Sequence, residues 1–225
     1  MADRVPLDFD PPVRKLRALL LGVDNAELIH PTPCPDWTVA VLLDHLMVLS
    51  QAYAQAARKR TDAPGTAEPP PEPSAQHLSR HWRSRLPVLL EELATAWKDP
   101  ASWAGSSVVG GVTMPAVALG TVAMNELIMH SWDLAKATGQ EYFADPRTLE
   151  VLIEFLAQSP PAMVGPAVPT DDEEATLLDQ ALSLAGRDPA WRPSRRRRPA
   201  PAASPARPCP TARSRTRRGA HGPMR

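Results

Sequence analysis

Glu126 and His130 stand four residues apart in MNELIMHSWDLAKATGQ (Met124–Gln140), within a stretch rich in large apolar side chains. At about 100° per residue they share one helical face, so a carboxylate and an imidazole can hold one proton or one cation between them. Asp133 follows one turn beyond His130, placed to accept from its ring. A third group comes from TPCPDWTVAVLLDHL (Thr32–Leu46), where His45 shares a face with Val41, Leu42, Val48 and Leu49. A carboxylate and two imidazoles withdrawn from water need partners or a cation. Two chemistries meet that need. One is a metal-free hydrogen-bond network in the core. The other is a divalent metal held by His45, Glu126 and His130, with positions left for water or a thiolate, which in zinc proteins is the catalytic pattern. Zn²⁺, Ni²⁺ and Fe²⁺ all suit that set.

Other candidates fit less well. His77 and His81 share the i,i+4 spacing, but His81 lies about 100° from the apolar stripe of Leu78, Trp82, Leu86 and Leu89, which predicts solvated imidazoles. Cys34 is soft enough for a metal, yet in its turn it reads as a small buried residue. His30 and Asp44 read as surface, and Trp132 as packing.

Helical periodicity runs through the body and predicts helices over Pro11–Val23, Thr38–Arg60, Ser74–Lys98 and Pro115–Thr138, with shorter ones at Asp145–Gln158 and Asp171–Ala185. No alternating run reads as a strand. The expected fold is all-α, a four-helix bundle with short C-terminal helices. Asp36 or Thr38 supplies an N-cap acceptor, Pro115 fits a first turn, Gly139 suits a left-handed C′ position, and Pro87 is expected to kink the third helix. The Pro-rich Thr61–Ser74 is a loop.

The chain has 225 residues, with 25 Lys+Arg and 25 Asp+Glu. Eleven of those arginines, and no acidic residue, lie in Arg192–Arg225. The neutral total therefore combines an acidic body, 1–191, with a basic tail, 192–225, whose lack of large apolar residues predicts disorder. Arginine density without interleaved aromatics is a weak nucleic-acid signal, so nucleic acid is not an expected partner. Two cysteines in dissimilar segments suit a reducing compartment. The chain also lacks a signal-like start and an unbroken apolar run of spanning length. A cytoplasmic protein, not a membrane protein, is expected.

Three segments, TPCPDWTVAVLLDHL, NELIMHSWDLAKATGQ and LAGRDPAW (Leu184–Trp191), together resemble an actinobacterial metal-binding family. It is related to the N-terminal domain of mycothiol-dependent maleylpyruvate isomerase, within the DinB/YfiT-like helical-bundle superfamily. The resemblance spans about Leu7–Trp191. It implies one divalent metal, usually zinc, on His45, Glu126 and His130, with Asp133 orienting His130 or meeting substrate. It also implies mycothiol as a cosubstrate whose sulfur the metal activates, for transfer to or isomerisation of a small molecule. The alternative is a non-enzymatic metal-binding or interaction module, and a homodimer through outer helix faces is compatible with both. The full isomerase has a further C-terminal domain, for which Asp145–Trp191 is short.

Overall fold

The computed structural model describes residues 6–159, 166–168 and 175–193. Among the described residues, six α-helices run in the order α1 (Asp10–Leu21), α2 (Val39–Ala57), α3 (Trp82–Trp97), α4 (Ala116–Ala137), α5 (Pro146–Gln158) and α6 (Leu177–Leu184). Between α3 and α4 lies an antiparallel hairpin, β1 (Ser106–Val109) and β2 (Val112–Pro115), in register Ser106 to Pro115 and Val109 to Val112. The fold is mostly helical, and the expectation of no strand is corrected. In SSVVGGVTMP, Gly110 and Gly111 take φ of 56° and 77°, the left-handed pair that a two-residue hairpin turn requires. The Pro-rich loop pins that turn, because Gly110 and Gly111 donate their amides to the carbonyls of Gly65 and Thr66 at 2.9 and 2.8 Å.

Helix α2 packs against α3 and α4, α1 packs against the same two, and the hairpin lies on α2 and α4. Their shared core holds Leu42, Leu43 and Leu46 with Leu86, Leu90 and Leu93, and Leu119, Met124, Leu127 and Ile128 from α4. Leucines recurring at three- and four-residue spacing give each helix an apolar stripe, and burial of such side chains contributes about 1.5–3 kcal/mol each. Close approach to α4 depends on Gly120. A Cβ there would collide with the Trp103 ring and lie 2.8 Å from the Trp97 ring. Helices α5 and α6 pack on each other, and α5 also reaches α4. No described helix is long and apolar enough to cross a membrane.

Thr38 caps α2, its hydroxyl accepting from the Val41 amide at 3.5 Å. Gly139, at φ 67°, follows α4, and α3 continues through Pro87. Pro115 is the N-cap of α4 and ends β2 instead of opening the first helical turn. Two helix limits differ from the periodic reading. The third helix starts at Trp82, not Ser74, because Ser74 and Ser79 hydroxyls accept the amides of Gln76 and His81, each at 3.2 Å, and hold the chain in turns. The second ends at Ala57. Lys59 turns left-handed at φ 58°, and its ammonium donates to the Ser102 and Ala104 carbonyls and the Ser107 hydroxyl. The basic tail from 194 and the expected start of the last helix at Asp171 lie outside the described residues.

Candidate functional site

The loop before α2 folds onto the site because it is tied to itself. The Thr32 amide and hydroxyl donate to the Trp37 carbonyl at 3.0 and 3.1 Å, the Trp37 amide returns to the Cys34 carbonyl at 3.2 Å, and Asp36 takes φ 63°. That closed turn sets Trp37 over two histidines. Its ring stacks on His130 at 5.8 Å and 21° and meets His45 edge-on at 4.9 Å.

Helices α2 and α4 deliver the polar groups that the sequence singled out. His45 Nε2 lies 3.4 Å from Glu126 Oε2, and His130 Nε2 lies 3.1 Å from the same oxygen. The site is open on one side: the side chains of His45 and Glu126 are 25% and 29% exposed, against 6% for His130. His45 therefore sits at the wall of a cavity instead of in closed core. Behind the site, His130 Nδ1 meets Asp133 Oδ2 at 2.9 Å, as a second carboxylate that orients a metal-binding ring would.

Arg187 completes this chain, and the sequence reading missed it. Its Nη2 donates to Asp133 Oδ2 at 3.3 Å and approaches Cys34 Sγ at 3.7 Å. The turn that closes α6 carries it there: Gly186, at φ 73°, donates its amide to the Ser183 carbonyl, and the Arg187 amide returns to Leu182. The only sequence signal was an arginine beside a glycine in LAGRDPAW, which periodicity does not reach. Asp44 is corrected from surface to buried. It accepts the Ser74 amide at 3.1 Å and lies 3.9 Å from the exposed His77. Trp132 packs in the core as expected.

Among the described residues, two groups of side chains bring three donor atoms within 4.8 Å of one another: His45, Glu126 and His130, and Cys34, His130 and Asp133. The chemistry separates them. A guanidinium already stands between Cys34 and Asp133, and burial, with Asp133 nearby, pushes the Cys34 thiol up to about 11, away from the thiolate that a metal needs. The first group has no such cation. Tetrahedral zinc with bonds of about 2.0–2.1 Å requires ligand atoms roughly 3.3 Å apart, and the 3.4 and 3.1 Å separations to Glu126 Oε2 match that edge.

Electrostatics favour the pairing. Burial alone would raise the Glu126 carboxyl, but hydrogen bonds from His130 and His45 override it and hold the group well below the usual carboxylate range. Burial alone would lower the His130 imidazole, yet Asp133 and Glu126 outweigh it and push the ring up to about 9. In the metal-free protein this raised value stabilises the fold fully below about pH 6.5 and fades as pH rises through about 9, because the unfolded imidazole titrates lower. Chelated protein should therefore lose on the order of 1–3 kcal/mol between pH 6.5 and 9.5 in denaturant titrations. A metal ion on these residues would have to displace that proton, so any metal affinity would rise over the same interval.

Beside His45 and Glu126 opens a cavity of about 340 Å³, between α2, α4, the hairpin and the Pro-rich loop. Tyr53, two turns along α2 from His45, lines it, and burial followed by the Glu126 charge raises its phenol.

A model of the mycothiol maleylpyruvate isomerase N-terminal domain matches residues 9–135. The chain belongs to that family. The match takes in His45, Glu126, His130 and Asp133, but not Arg187. Two uncharacterized proteins of Mycobacterium tuberculosis, from strains CDC 1551 / Oshkosh and ATCC 25618 / H37Rv, are each 27% identical over 179 residues, or 76% of this chain and 90% of theirs. The crystal structure of mycothiol-dependent maleylpyruvate isomerase shares the fold with a TM-score of 0.52 at 20% identity, over 80% of this chain and 87% of that one. A histidine-to-alanine mutant of that enzyme gives 0.53 at 19% identity with the same coverage. A likeness over 80% of 225 residues cannot fit within 9–135, so it extends beyond the family domain. Although Asp145–Trp191 is short for a further domain, little of the isomerase chain is left unmatched.

Proposed function

We propose that this protein is a cytoplasmic metal- and thiol-dependent enzyme of the isomerase or S-transferase kind. Residues 1–191 act as the functional domain, a bundle of α1–α4 with its appended helices, and the basic segment 192–225 is dispensable for the chemistry. The observation that carries this reading is the shared Glu126 Oε2, 3.4 Å from one imidazole nitrogen and 3.1 Å from another, at the wall of a cavity. Family membership supports a thiol partner, and mycothiol, which gives its name to the family and to the isomerase of the same fold, is the proposed cosubstrate.

Each residue then has a task. His45, Glu126 and His130 hold the ion, with Zn²⁺ the best fit to two imidazoles and one carboxylate, and Ni²⁺ or Fe²⁺ the alternatives. When bound, the metal lowers the pKa of a coordinated thiol so that the nucleophilic thiolate exists at neutral pH. Asp133, with Arg187 behind it, fixes the His130 tautomer so that Nε2 faces the site. Trp37 walls one side and restricts water.

Full-length protein purified without an affinity tag should carry about one equivalent of divalent metal. In the Co²⁺-substituted protein, mycothiol should add sulfur-to-cobalt charge-transfer absorption. Absence of Zn, Ni and Fe sinks the proposal. An unchanged cobalt spectrum removes thiol activation and leaves a non-enzymatic metal-binding or interaction module, whose partner would be a second copy docked through outer helix faces.

A further inference from the structure

The cavity beside His45 and Glu126 has a distinctive lining. Val48, Leu49 and Ala52 of α2, Val122 of α4 and Val109 and Met114 of the hairpin line it with apolar side chains. Among the described residues no lysine or arginine lines it, and Glu126 is the one acidic side chain there. The polar groups are therefore His45 and Glu126, which face each other, and Tyr53. Among the described residues the Tyr53 hydroxyl has no hydrogen-bond partner, and it is not among the buried polar atoms shut off from space. A phenol with an ordinary pKa near 10 is a donor at neutral pH.

Charge decides what such a cavity accepts. A divalent ion in the proposed site would be offset by the Glu126 carboxylate and a thiolate, leaving no net positive charge to attract an anion. A dicarboxylate entering would lose hydration with no described lysine or arginine on the wall to replace it, which is costly in an apolar enclosure. An uncharged apolar body instead gains from burial, and one acceptor oxygen can take the free phenolic proton.

We infer that this cavity selects an uncharged, mainly apolar small molecule bearing one hydrogen-bond acceptor, positioned by the Tyr53 hydroxyl, and rejects dicarboxylates. The inference rests on the metal–thiol reading of the same site for where the reacting sulfur lies. Tyr53 is a positioning residue whose donated bond sets the substrate's orientation.

Three probes test this on the full-length protein saturated with mycothiol, by ligand-observed NMR titration: acetophenone, ethylbenzene, which lacks the acceptor, and phthalate, a dianion. Acetophenone should bind at least about ten times more tightly than phthalate. Tyr53→Phe should weaken acetophenone roughly 2- to 10-fold, the worth of one neutral hydrogen bond, and leave ethylbenzene unchanged. Val112→Arg, at an exposed hairpin position on the cavity lining, should raise phthalate affinity. Phthalate binding to the wild type as tightly as acetophenone overturns the inference. So does a Tyr53→Phe variant that weakens both aromatic probes equally or neither. Metal content measured on the same samples keeps the two claims apart. A metal-free protein with the expected probe preferences overturns the metal–thiol reading alone.

Discussion

Glu126→Ala should lower metal affinity by more than about 100-fold, beyond the 10–100-fold that follows loss of an outer-sphere partner. The size of the effect comes from geometry. Both imidazole Nε2 atoms address the same carboxylate oxygen, at 3.4 and 3.1 Å, so the truncation removes the one anionic ligand of the proposed site and the atom common to both contacts. Glu126→Gln keeps the side-chain volume but removes the charge, and it should lose most of the same affinity while remaining folded. His130→Ala should match Glu126→Ala in metal loss. Chelator competition and metal analysis read all three. Wild-type metal content in Glu126→Ala and Glu126→Gln would show that the cluster is a metal-free hydrogen-bond network, the other chemistry that the same residues allow.

Asp133→Ala should cost about 3–5 kcal/mol of stability, the usual penalty for leaving a buried charge without its partner. Asp133 is fully buried, and its Oδ2 serves both His130 Nδ1 at 2.9 Å and Arg187 Nη2 at 3.3 Å. Truncation strands a guanidinium that is 17% exposed and releases the His130 ring. Metal affinity should fall a further 10–100-fold as that ring loses its orientation. The double variant Asp133→Ala, Arg187→Met should recover part of the stability, because the unpaired cation is gone, but none of the metal affinity. Denaturant midpoints separate the two effects. An Asp133→Ala variant within about 1 kcal/mol of wild type would mean that Arg187 finds other partners.

Much of the site was legible because helical geometry is local. The interval from Glu126 to His130 fixes a shared face, and His45 falls on the apolar side of its own helix, so periodicity alone grouped three residues drawn from two distant segments. The capping role of Thr38 and the left-handed Gly139 were legible for the same reason, since each depends on a few neighbouring residues. The hairpin was legible in principle in VVGGV, but its strands are four residues each, too short for alternation to stand out. The start of α3 was not legible in the pattern, because two serine hydroxyls compete with helix formation over a stretch whose spacing permits it.

By itself the sequence determined a helical protein with a carboxylate and two imidazoles on inward faces, and it carried the motifs of the isomerase-related family. Tertiary structure decided what those groups meet. It set Glu126 Oε2 between two imidazole nitrogens, brought Arg187 across 54 positions to Asp133, and buried Asp44 under the turn at Ser74. It also laid the hairpin over α2 and α4 to close an apolar cavity around Tyr53. The division has a physical cause. A face on a helix follows from the bond angles of neighbouring residues, whereas a contact between segments follows from how whole elements bury their stripes together.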